Sequence, residues 1–261
     1  MDLNYSLLNQ ESENTPILIL HGLFGSQKNW GAIARKLSGK YTVISIDLRN
    51  HGQSPHTETM SYPEMAEDII QLLDNLGYKS VNILGHSMGG KVAMSCALEY
   101  PDRVNLLCVA DISPVTYLPR FDQIISALKT LPLDQINNRS NADQLLAKTI
   151  DQPSLRQFFL QNLLKENDRY NWRINLNAIE KAMPTLSGFP DYSDDQLFNK
   201  QTLFLRGENS DYILPEHHSM IKKHFPKAEI QTIPNSGHWL HAEQPELFYQ
   251  SLIDFLDENL N

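Results

Sequence analysis

The chain has 261 residues, 41% of them hydrophobic and 20% charged, which is the composition of one large globular domain or two small ones. Its 22 Lys and Arg residues against 31 Asp and Glu residues give a formal net charge of −9 at pH 7, and a negative field of this kind repels nucleic acid and anionic lipid. We therefore expect no nucleic-acid partner.

The apolar runs of the sequence are short. None approaches the roughly 20 residues that a membrane-spanning helix requires, so no transmembrane span is expected. Residues 1–14 lack the basic and apolar regions of a secretory signal. Cys96 and Cys108 lie in apolar segments without the spacing of metal ligands, which favours buried thiols in a reducing compartment. We expect a cytoplasmic protein, and the sequence leaves its oligomeric state open.

The first half of the chain alternates between predicted strands and helices. Short apolar runs that stop at a glycine or a polar turn predict buried parallel strands over residues 16–20, 41–46, 81–84 and 104–110. A helix is predicted over Ser61–Leu76, because Ser61 and Glu64 form a capping box and Gly77 supplies a stop. A further helix follows Ser87. Strand and helix alternation requires crossover connections, so we expect a mostly parallel sheet with helices on both faces.

The character of the sequence changes between residues 114 and 200. No run there predicts a buried strand, and the helical stretches over residues 121–131, 142–150 and 154–164 are separated by turns that contain Pro and Asn. Strands resume at 202–205 and 229–233, and helices are predicted over 215–224 and 245–256. The interpretation is an α/β body of residues 1–113 and 201–261, interrupted by an inserted helical cap of residues 114–200.

The string Gly85-His86-Ser87-Met88-Gly89 is a G-x-S-x-G motif directly after a predicted strand and before a predicted helix. Ser87 is then expected on a sharp turn at the carboxyl edge of the sheet. Gly85 and Gly89 keep that turn open, because side chains at these positions would collide. Ser87 is the candidate nucleophile.

A serine hydroxyl needs a base to become a nucleophile, and in this type of fold the base comes last in the chain order serine, acid, histidine. His238 fits, since it lies in a turn after the last predicted strand. His241 follows closely, but no third ligand with suitable spacing accompanies the pair, so we expect no metal site. We expect His21, His51 and His86 to be structural or pocket-lining hydrogen-bonding groups rather than catalysts.

Two carboxylates qualify as the acid, because each follows a predicted strand that ends at the same edge. Asp211 follows the strand at 202–205, and Asp111 follows the strand at 104–110. A turn or cap role is the ordinary alternative for each. The residues leave the acid open between Asp111 and Asp211.

The loop His21-Gly22-Leu23-Phe24-Gly25 follows the first predicted buried strand and offers a second backbone N–H to an oxyanion. We assign the two oxyanion donors to the backbone amides of Leu23 and Met88. Phe24 and Trp239 are expected to contact substrate near the turn. Arg173, in the predicted cap, is a candidate for binding a carboxylate or phosphate, with a salt bridge inside the protein as the alternative.

Longer strings extend these motifs over nearly the whole chain: HGLFGS at 21–26, DLRNHGQSP at 47–55, GHSMGGK at 85–91, ADISPV at 110–115, WRINL at 172–176 and GHWLHAEQP at 237–245. With them the chain resembles the α/β-hydrolase superfamily, and more narrowly the YbfF-type bacterial esterases and their mitochondrial α/β-hydrolase-domain relatives. The string RNHG is specific, because most superfamily members have RGxG there.

The resemblance implies an α/β-hydrolase fold with an eight-stranded, mostly parallel sheet and a helical cap. It implies serine esterase activity on short acyl esters, with acyl-CoA thioesters as further substrates, and it makes Ser87 the nucleophile and His238 the base. Such relatives often lack Asp at position 211 but keep the DIS string, which favours Asp111, whereas this chain retains both carboxylates.

The predicted reaction is attack of Ser87 on an acyl carbonyl, followed by hydrolysis of the acyl-enzyme by water that His238 activates. It needs no cofactor and takes a small-molecule ester or thioester. A C–C bond hydrolase or a cofactor-free haloperoxidase-like enzyme on the same triad is the alternative. A non-catalytic binding protein would usually have lost one of these residues.

Overall fold

The central sheet lies at the core of the computed structural model, which describes residues 1–260. Its strands are Tyr5–Leu8 (β1), Ile17–Leu20 (β2), Val43–Ile46 (β3), Val81–His86 (β4), Val104–Ala110 (β5), Thr202–Gly207 (β8) and Ala228–Ile233 (β9). The order across the sheet is β1-β3-β2-β4-β5-β8-β9. β1 pairs antiparallel with β3, and the other neighbouring strands pair in parallel.

The sheet has seven strands among the described residues, so the expected number of eight is wrong. Among the described residues, β1 is the only strand that precedes β2. It pairs antiparallel with β3 and forms one edge of the sheet. β1 itself was not predicted from the sequence. Its residues are half-buried or exposed, as is common on an edge strand, and they form no continuous apolar run.

Helices cover both faces of the sheet, as expected. They span Gly31–Leu37 (α1), Tyr62–Leu76 (α2), Met88–Glu99 (α3), Asp122–Lys129 (α4), Arg139–Leu146 (α5), Pro153–Leu160 (α6), Leu176–Ser187 (α7), His218–His224 (α8), Leu240–Glu243 (α9) and Pro245–Asn259 (α10). Short 3₁₀ helices lie at Gln27–Trp30, Pro101–Arg103, Leu133–Gln135 and Pro215–His217. No helix among residues 1–260 is both long enough and apolar enough to cross a bilayer.

Two apolar clusters flank the sheet because successive side chains of a strand point to opposite faces. Leu18 and Leu20 pack with α2, α3 and the residues of the segment between β5 and β8. Ile17 and Ile19 pack on the other face with α1 and α10. The free thiols of Cys96 and Cys108 are buried, one in each cluster.

The helix α2 begins and ends as its sequence predicts. Ser61 is the N-cap, and its side chain accepts a hydrogen bond from the Glu64 amide at 3.4 Å. Gly77 ends the helix with φ 76°, a left-handed conformation that glycine adopts without a steric penalty.

The segment between β5 and β8 connects two neighbouring strands and contains α4 to α7. It also holds a β-hairpin, Leu163–Glu166 (β6) paired with Arg169–Trp172 (β7), so a purely helical segment is wrong and the helix predicted over 154–164 stops at Leu160. Asn167 and Asp168 form the turn with positive φ, which these residue types tolerate. The strands were missed because most of their residues are not buried and show no apolar run. The boundaries of a cap at 114 and 200 stay a prediction.

A buried lysine links α3 to both ends of this segment. Lys91 is 1% exposed, and its Nζ donates hydrogen bonds to the carbonyl oxygens of Val115 at 2.8 Å, Ser187 at 3.2 Å and Gly188. The Tyr117 ring centroid lies 4.8 Å from the same nitrogen. Burial without a carboxylate partner lowers the pKa of Lys91 to about 7.

This pKa predicts a pH-dependent contribution to stability. Between about pH 7 and the ordinary lysine value of about 10.4, the unfolded chain holds a proton that folded Lys91 has released, so the free energy of unfolding should rise with pH. The variant Lys91→Met lacks this titrating group, so its free energy of unfolding should not show this rise. Urea unfolding measures this difference. Between pH 7 and pH 9 the free energy of unfolding should rise by about 2 kcal/mol more in wild type than in the variant.

Lys200→Met is the matched control, since half-buried Lys200 also donates to two backbone carbonyls. Between pH 7 and pH 9 the free energy of unfolding should rise less in Lys91→Met than in Lys200→Met. Equal pH dependence of wild type and Lys91→Met would contradict a depressed lysine pKa.

Candidate active site

Ser87 occupies the single residue between β4 and α3, with φ 52° and ψ −120°. The turn is closed so tightly that a Cβ at Gly85 would lie 2.3 Å from the Gly89 carbonyl oxygen, and one at Gly89 would lie 2.5 Å from the carbonyl oxygens of Leu20 and His21. The steric role predicted for Gly85 and Gly89 is confirmed. The packing of α3 against β2 and β4 holds the serine in a conformation that non-glycine residues rarely adopt.

The carboxyl edge of the sheet brings three side chains into one hydrogen-bonded chain. His238, in the turn after β9, places Nε2 3.0 Å from Ser87 Oγ and Nδ1 2.8 Å from Asp111 Oδ2. Asp111 directly follows β5 and is fully buried. A carboxylate on Nδ1 keeps the proton there, so Nε2 is free to accept the serine proton.

Asp111 accepts further hydrogen bonds from the loop after β8. Its Oδ1 accepts from the Gly207 amide at 2.9 Å, and the Ser210 hydroxyl donates to Oδ2. Gly207 permits this approach, because a Cβ there would lie 2.2 Å from the Gly237 carbonyl oxygen. Sequence reasoning missed Ser210, for which the sequence offers no pattern beyond its place next to the candidate Asp211.

Asp211 lies apart from the imidazole and pairs with Arg120 instead. The guanidinium makes two hydrogen bonds of 2.8 Å to the carboxylate, whose side chain is 60% exposed. The hydrogen bonds from Arg120 lower the pKa of Asp211. Of the two carboxylates left open by the sequence, only Asp111 contacts His238.

The imidazole of His238 is held on its faces as well as at its nitrogens. The Tyr212 ring stacks on it with a centroid distance of 4.0 Å and an interplanar angle of 22°. The Arg120 guanidinium carbon lies over the Tyr212 ring, 5.0 Å from its centroid. His86 Nε2 donates to the His238 carbonyl oxygen at 2.8 Å, which anchors the turn that carries His238.

The remaining histidines of the site are buried hydrogen-bonding or packing groups. His21 Nε2 accepts from the Leu48 amide at 3.0 Å, and His51 Nε2 accepts from the Phe24 amide at 3.1 Å. The His241 ring stacks on the Trp30 ring, with the two ring centroids 4.2 Å apart. Burial lowers the pKa of both His51 and His241 to about 3, so both are neutral. Among residues 1–260, no three His, Cys, Asp or Glu side chains are arranged to hold a metal ion.

The loop after β2 lies directly against Ser87. A Cβ at Gly22 would lie 2.9 Å from His86 Nδ1 and 3.3 Å from Ser87 Cβ. The next residue, Leu23, shares a cavity lining with Ser87 and Met88. Met88 is the first residue of α3, where an amide has no acceptor within its helix. The two residues assigned to the oxyanion therefore line a cavity together with Ser87, and the role of their amides stays a prediction.

Gly22→Ala tests this arrangement. The added methyl group must displace the loop, because His86 is buried and cannot move aside. We expect kcat for an ester to fall about 10² to 10³-fold, the loss typical of one oxyanion donor. Gly31→Ala is the control, since its nearest neighbour would be the flexible Arg35 side chain at 3.4 Å. An unchanged kcat in a folded Gly22→Ala protein would contradict the role of this loop.

A cavity of about 470 Å³, here called the wide cavity, opens above Ser87 and His238. Phe24 and Trp239 line it, as do Phe158 and Phe159. Its charged lining residues are Arg120 and Asp211, which are paired with each other. Arg173 is outside this lining, and its carbonyl oxygen accepts from His56 Nε2 at 2.8 Å. The structure therefore does not bring Arg173 to Ser87.

Comparison with known proteins matches residues 15–245 to the family model of the α/β hydrolase fold. The chain is 39% identical to a mouse protein named sn-1-specific diacylglycerol lipase ABHD11, over 98% of this chain and 85% of that protein. It is 31% identical to Escherichia coli esterase YbfF, over 95% of each chain. A solved structure titled marine microorganism esterase superposes with a TM-score of 0.94 at 40% identity, covering 98% of this chain and 100% of that one.

Proposed function

Because the chain belongs to the α/β-hydrolase fold family, we propose that it is a carboxylic ester hydrolase that uses Ser87 as its nucleophile. The observation that carries this proposal is the hydrogen-bonded chain from Asp111 through His238 to Ser87 at the floor of the wide cavity. The names of the relatives, an esterase and a lipase, support the same reaction class.

The distances support the following sequence of steps. His238 Nε2 takes the hydroxyl proton as Ser87 Oγ attacks the ester carbonyl, and the carbonyl oxygen becomes an oxyanion held by the amides of Leu23 and Met88. Asp111 holds the imidazole orientation and stabilises the imidazolium. The leaving alcohol takes the proton from Nε2, and the acyl group stays on Ser87.

Water completes the cycle. His238 removes a proton from water, which attacks the acyl-enzyme, and the acid leaves as Ser87 regains its proton. No cofactor takes part in these steps. A thioester carbonyl is open to the same attack, so acyl-CoA thioesters, whose CoA group is anionic, are tested as a second substrate class beside uncharged esters. Pairing of Arg120 with Asp211 leaves the wide cavity without a free positive charge in its lining, which favours uncharged esters.

The direct test combines turnover with active-site labelling. Purified protein should hydrolyse p-nitrophenyl esters, with an initial burst of p-nitrophenol wherever hydrolysis of the acyl-enzyme is slower than its formation. A fluorophosphonate probe should modify one peptide, the one that contains Ser87. The panel includes acyl-CoA thioesters and a β-diketone. Turnover of the β-diketone without ester turnover would favour a C–C bond hydrolase instead.

A cytoplasmic location is part of the same proposal. The two buried, unpaired cysteines favour a reducing compartment. Fractionation of the source cells, with detection of the protein by a fluorophosphonate label, tests it. Recovery with an exported fraction would contradict this location.

A further inference from the structure

A second cavity meets the wide cavity at Ser87. It has a volume of about 50 Å³ and is here called the small cavity. Five residues line both cavities: Leu23, Ser87, Arg120, Phe121 and Tyr212. Met88 and Lys91 line the small cavity alone, whereas His238 and Trp239 line the wide cavity alone. The nucleophile therefore has a different compartment on each side.

Proton transfer decides which part of an ester enters each compartment. After attack, the alcohol oxygen must receive a proton from His238 Nε2, so the alcohol has to lie on the side of the imidazole. His238 faces only the wide cavity. The acyl chain leaves the same carbonyl carbon in another direction, and the small cavity is the space that remains next to Ser87 and the amide of Met88.

We infer that the small cavity is the acyl-binding site and that the wide cavity binds the alcohol. This inference rests on the proposed esterase function and adds the substrate class. The substrates are esters of a short acyl group with a bulky, uncharged alcohol.

The walls of the small cavity explain the short acyl group. Met183 and Leu186 of α7 close it on one side, and each is only 7% exposed. Lys91 lies at another wall, and its Nζ lies within hydrogen-bonding distance of three backbone carbonyl oxygens. Packed side chains cannot yield space without a cost, so each methylene that extends the acyl chain toward α7 meets resistance. Leu118, which is 82% exposed, lines another side of the cavity. The wide cavity has about nine times the volume.

The lining of the wide cavity explains the type of alcohol. Phe158, Phe159 and Trp239 offer aromatic surface to an apolar group. The one guanidinium and the one carboxylate of the lining bind each other, so neither is available to a charged substituent. A charged alcohol would have to displace this pair.

The experiment compares two substrate series in two variants. One series lengthens the acyl chain from acetyl to octanoyl on p-nitrophenol, and the other keeps a butyryl group and changes the alcohol from methanol to 2-naphthol. Met183→Ala enlarges only the small cavity and should raise the octanoyl to acetyl ratio of kcat/KM at least about tenfold, since a methylene in a pocket changes specificity by about this factor. Its naphthyl to methyl ratio should stay as in wild type.

Phe158→Ala acts on the other side. It should lower the naphthyl to methyl ratio about tenfold and leave the acyl-length ratio unchanged, because Phe158 lines the wide cavity and not the small one. Met183→Leu, which conserves volume, is the control and should keep both ratios. Leu186→Ala repeats the first test if Met183→Ala does not fold.

The reverse pattern, with Met183→Ala changing only the alcohol ratio, would overturn the inference, as would acyl-length ratios that neither Met183→Ala nor Leu186→Ala changes. Failure of the proposed function looks different. In that case folded wild-type protein would turn over no ester of either series and would not react with the fluorophosphonate.

Discussion

Replacing Ser87 by alanine is expected to lower kcat for p-nitrophenyl butyrate by about 10⁶-fold, the loss seen when a hydrolase triad loses its nucleophile. The alanine variant keeps the oxyanion amides and both cavities, so KM should change much less than kcat. Labelling by a fluorophosphonate should disappear, because the Oγ that attacks phosphorus is gone. Initial rates and in-gel labelling of the same preparations measure both effects.

Ser45→Ala is the matched control for this change. Ser45 is buried in β3, and its hydroxyl has no hydrogen-bond partner in the described part of the chain. Its loss should leave kcat and labelling close to wild type. Labelling that persists in Ser87→Ala, or a kcat within tenfold of wild type, would contradict the assignment of the nucleophile.

The second large effect separates the two carboxylates. Asp111→Asn should lower kcat about 10⁴-fold, because an amide can hold the imidazole in the wrong tautomer and cannot stabilise the imidazolium. The replacement has nearly the same shape, so the fold should persist. Asp211→Asn should keep kcat within a few-fold of wild type, since Asp211 is half-exposed and bonds to Arg120.

The two variants are controls for each other, because both remove one negative charge from loops at the same edge of the sheet. Rates at pH 7 to 9 should rank wild type and Asp211→Asn together, far above Asp111→Asn. If both variants retain the kcat of wild type, the three-residue relay is wrong. If Asp211→Asn is the inactive one, the hydrogen bond from His238 to Asp111 is not the functional contact.

Much of the fold was predictable because its signals are local. The strand over 104–110 and the cap and stop of α2 agree with the structure, since apolar runs and capping residues act within a few positions of the chain. The edge strand β1 and the hairpin of β6 and β7 were missed for the opposite reason. Their residues are largely exposed, so pairing depends on the neighbouring strand and leaves little apolar pattern.

The site divides in the same way. The motif around Ser87 and the place of His238 after the last strand can be recognised from chain order alone. In the structure, His238 Nε2 lies 3.0 Å from Ser87 Oγ. Ser210 could not be identified, because a single serine in a polar loop carries no pattern. A contact of Arg173 with a ligand could not be predicted reliably, because the direction of a side chain between β5 and β8 depends on tertiary packing. Arg173 does not line the wide cavity.

The sequence by itself determined the class of sheet, the sharp turn at Ser87 and the loop that bears His238, because glycine spacing and strand ends specify these over short distances. It left Asp111 and Asp211 equivalent, since both follow parallel strands at one edge. Only the tertiary structure decided between them: the loop after β8 turns Asp211 outward to Arg120, while strained backbone after β5, with φ 52° at Asp111, points that carboxylate at His238. The two cavities of unequal size likewise could not be predicted from the sequence, because their walls come from segments far apart in the chain.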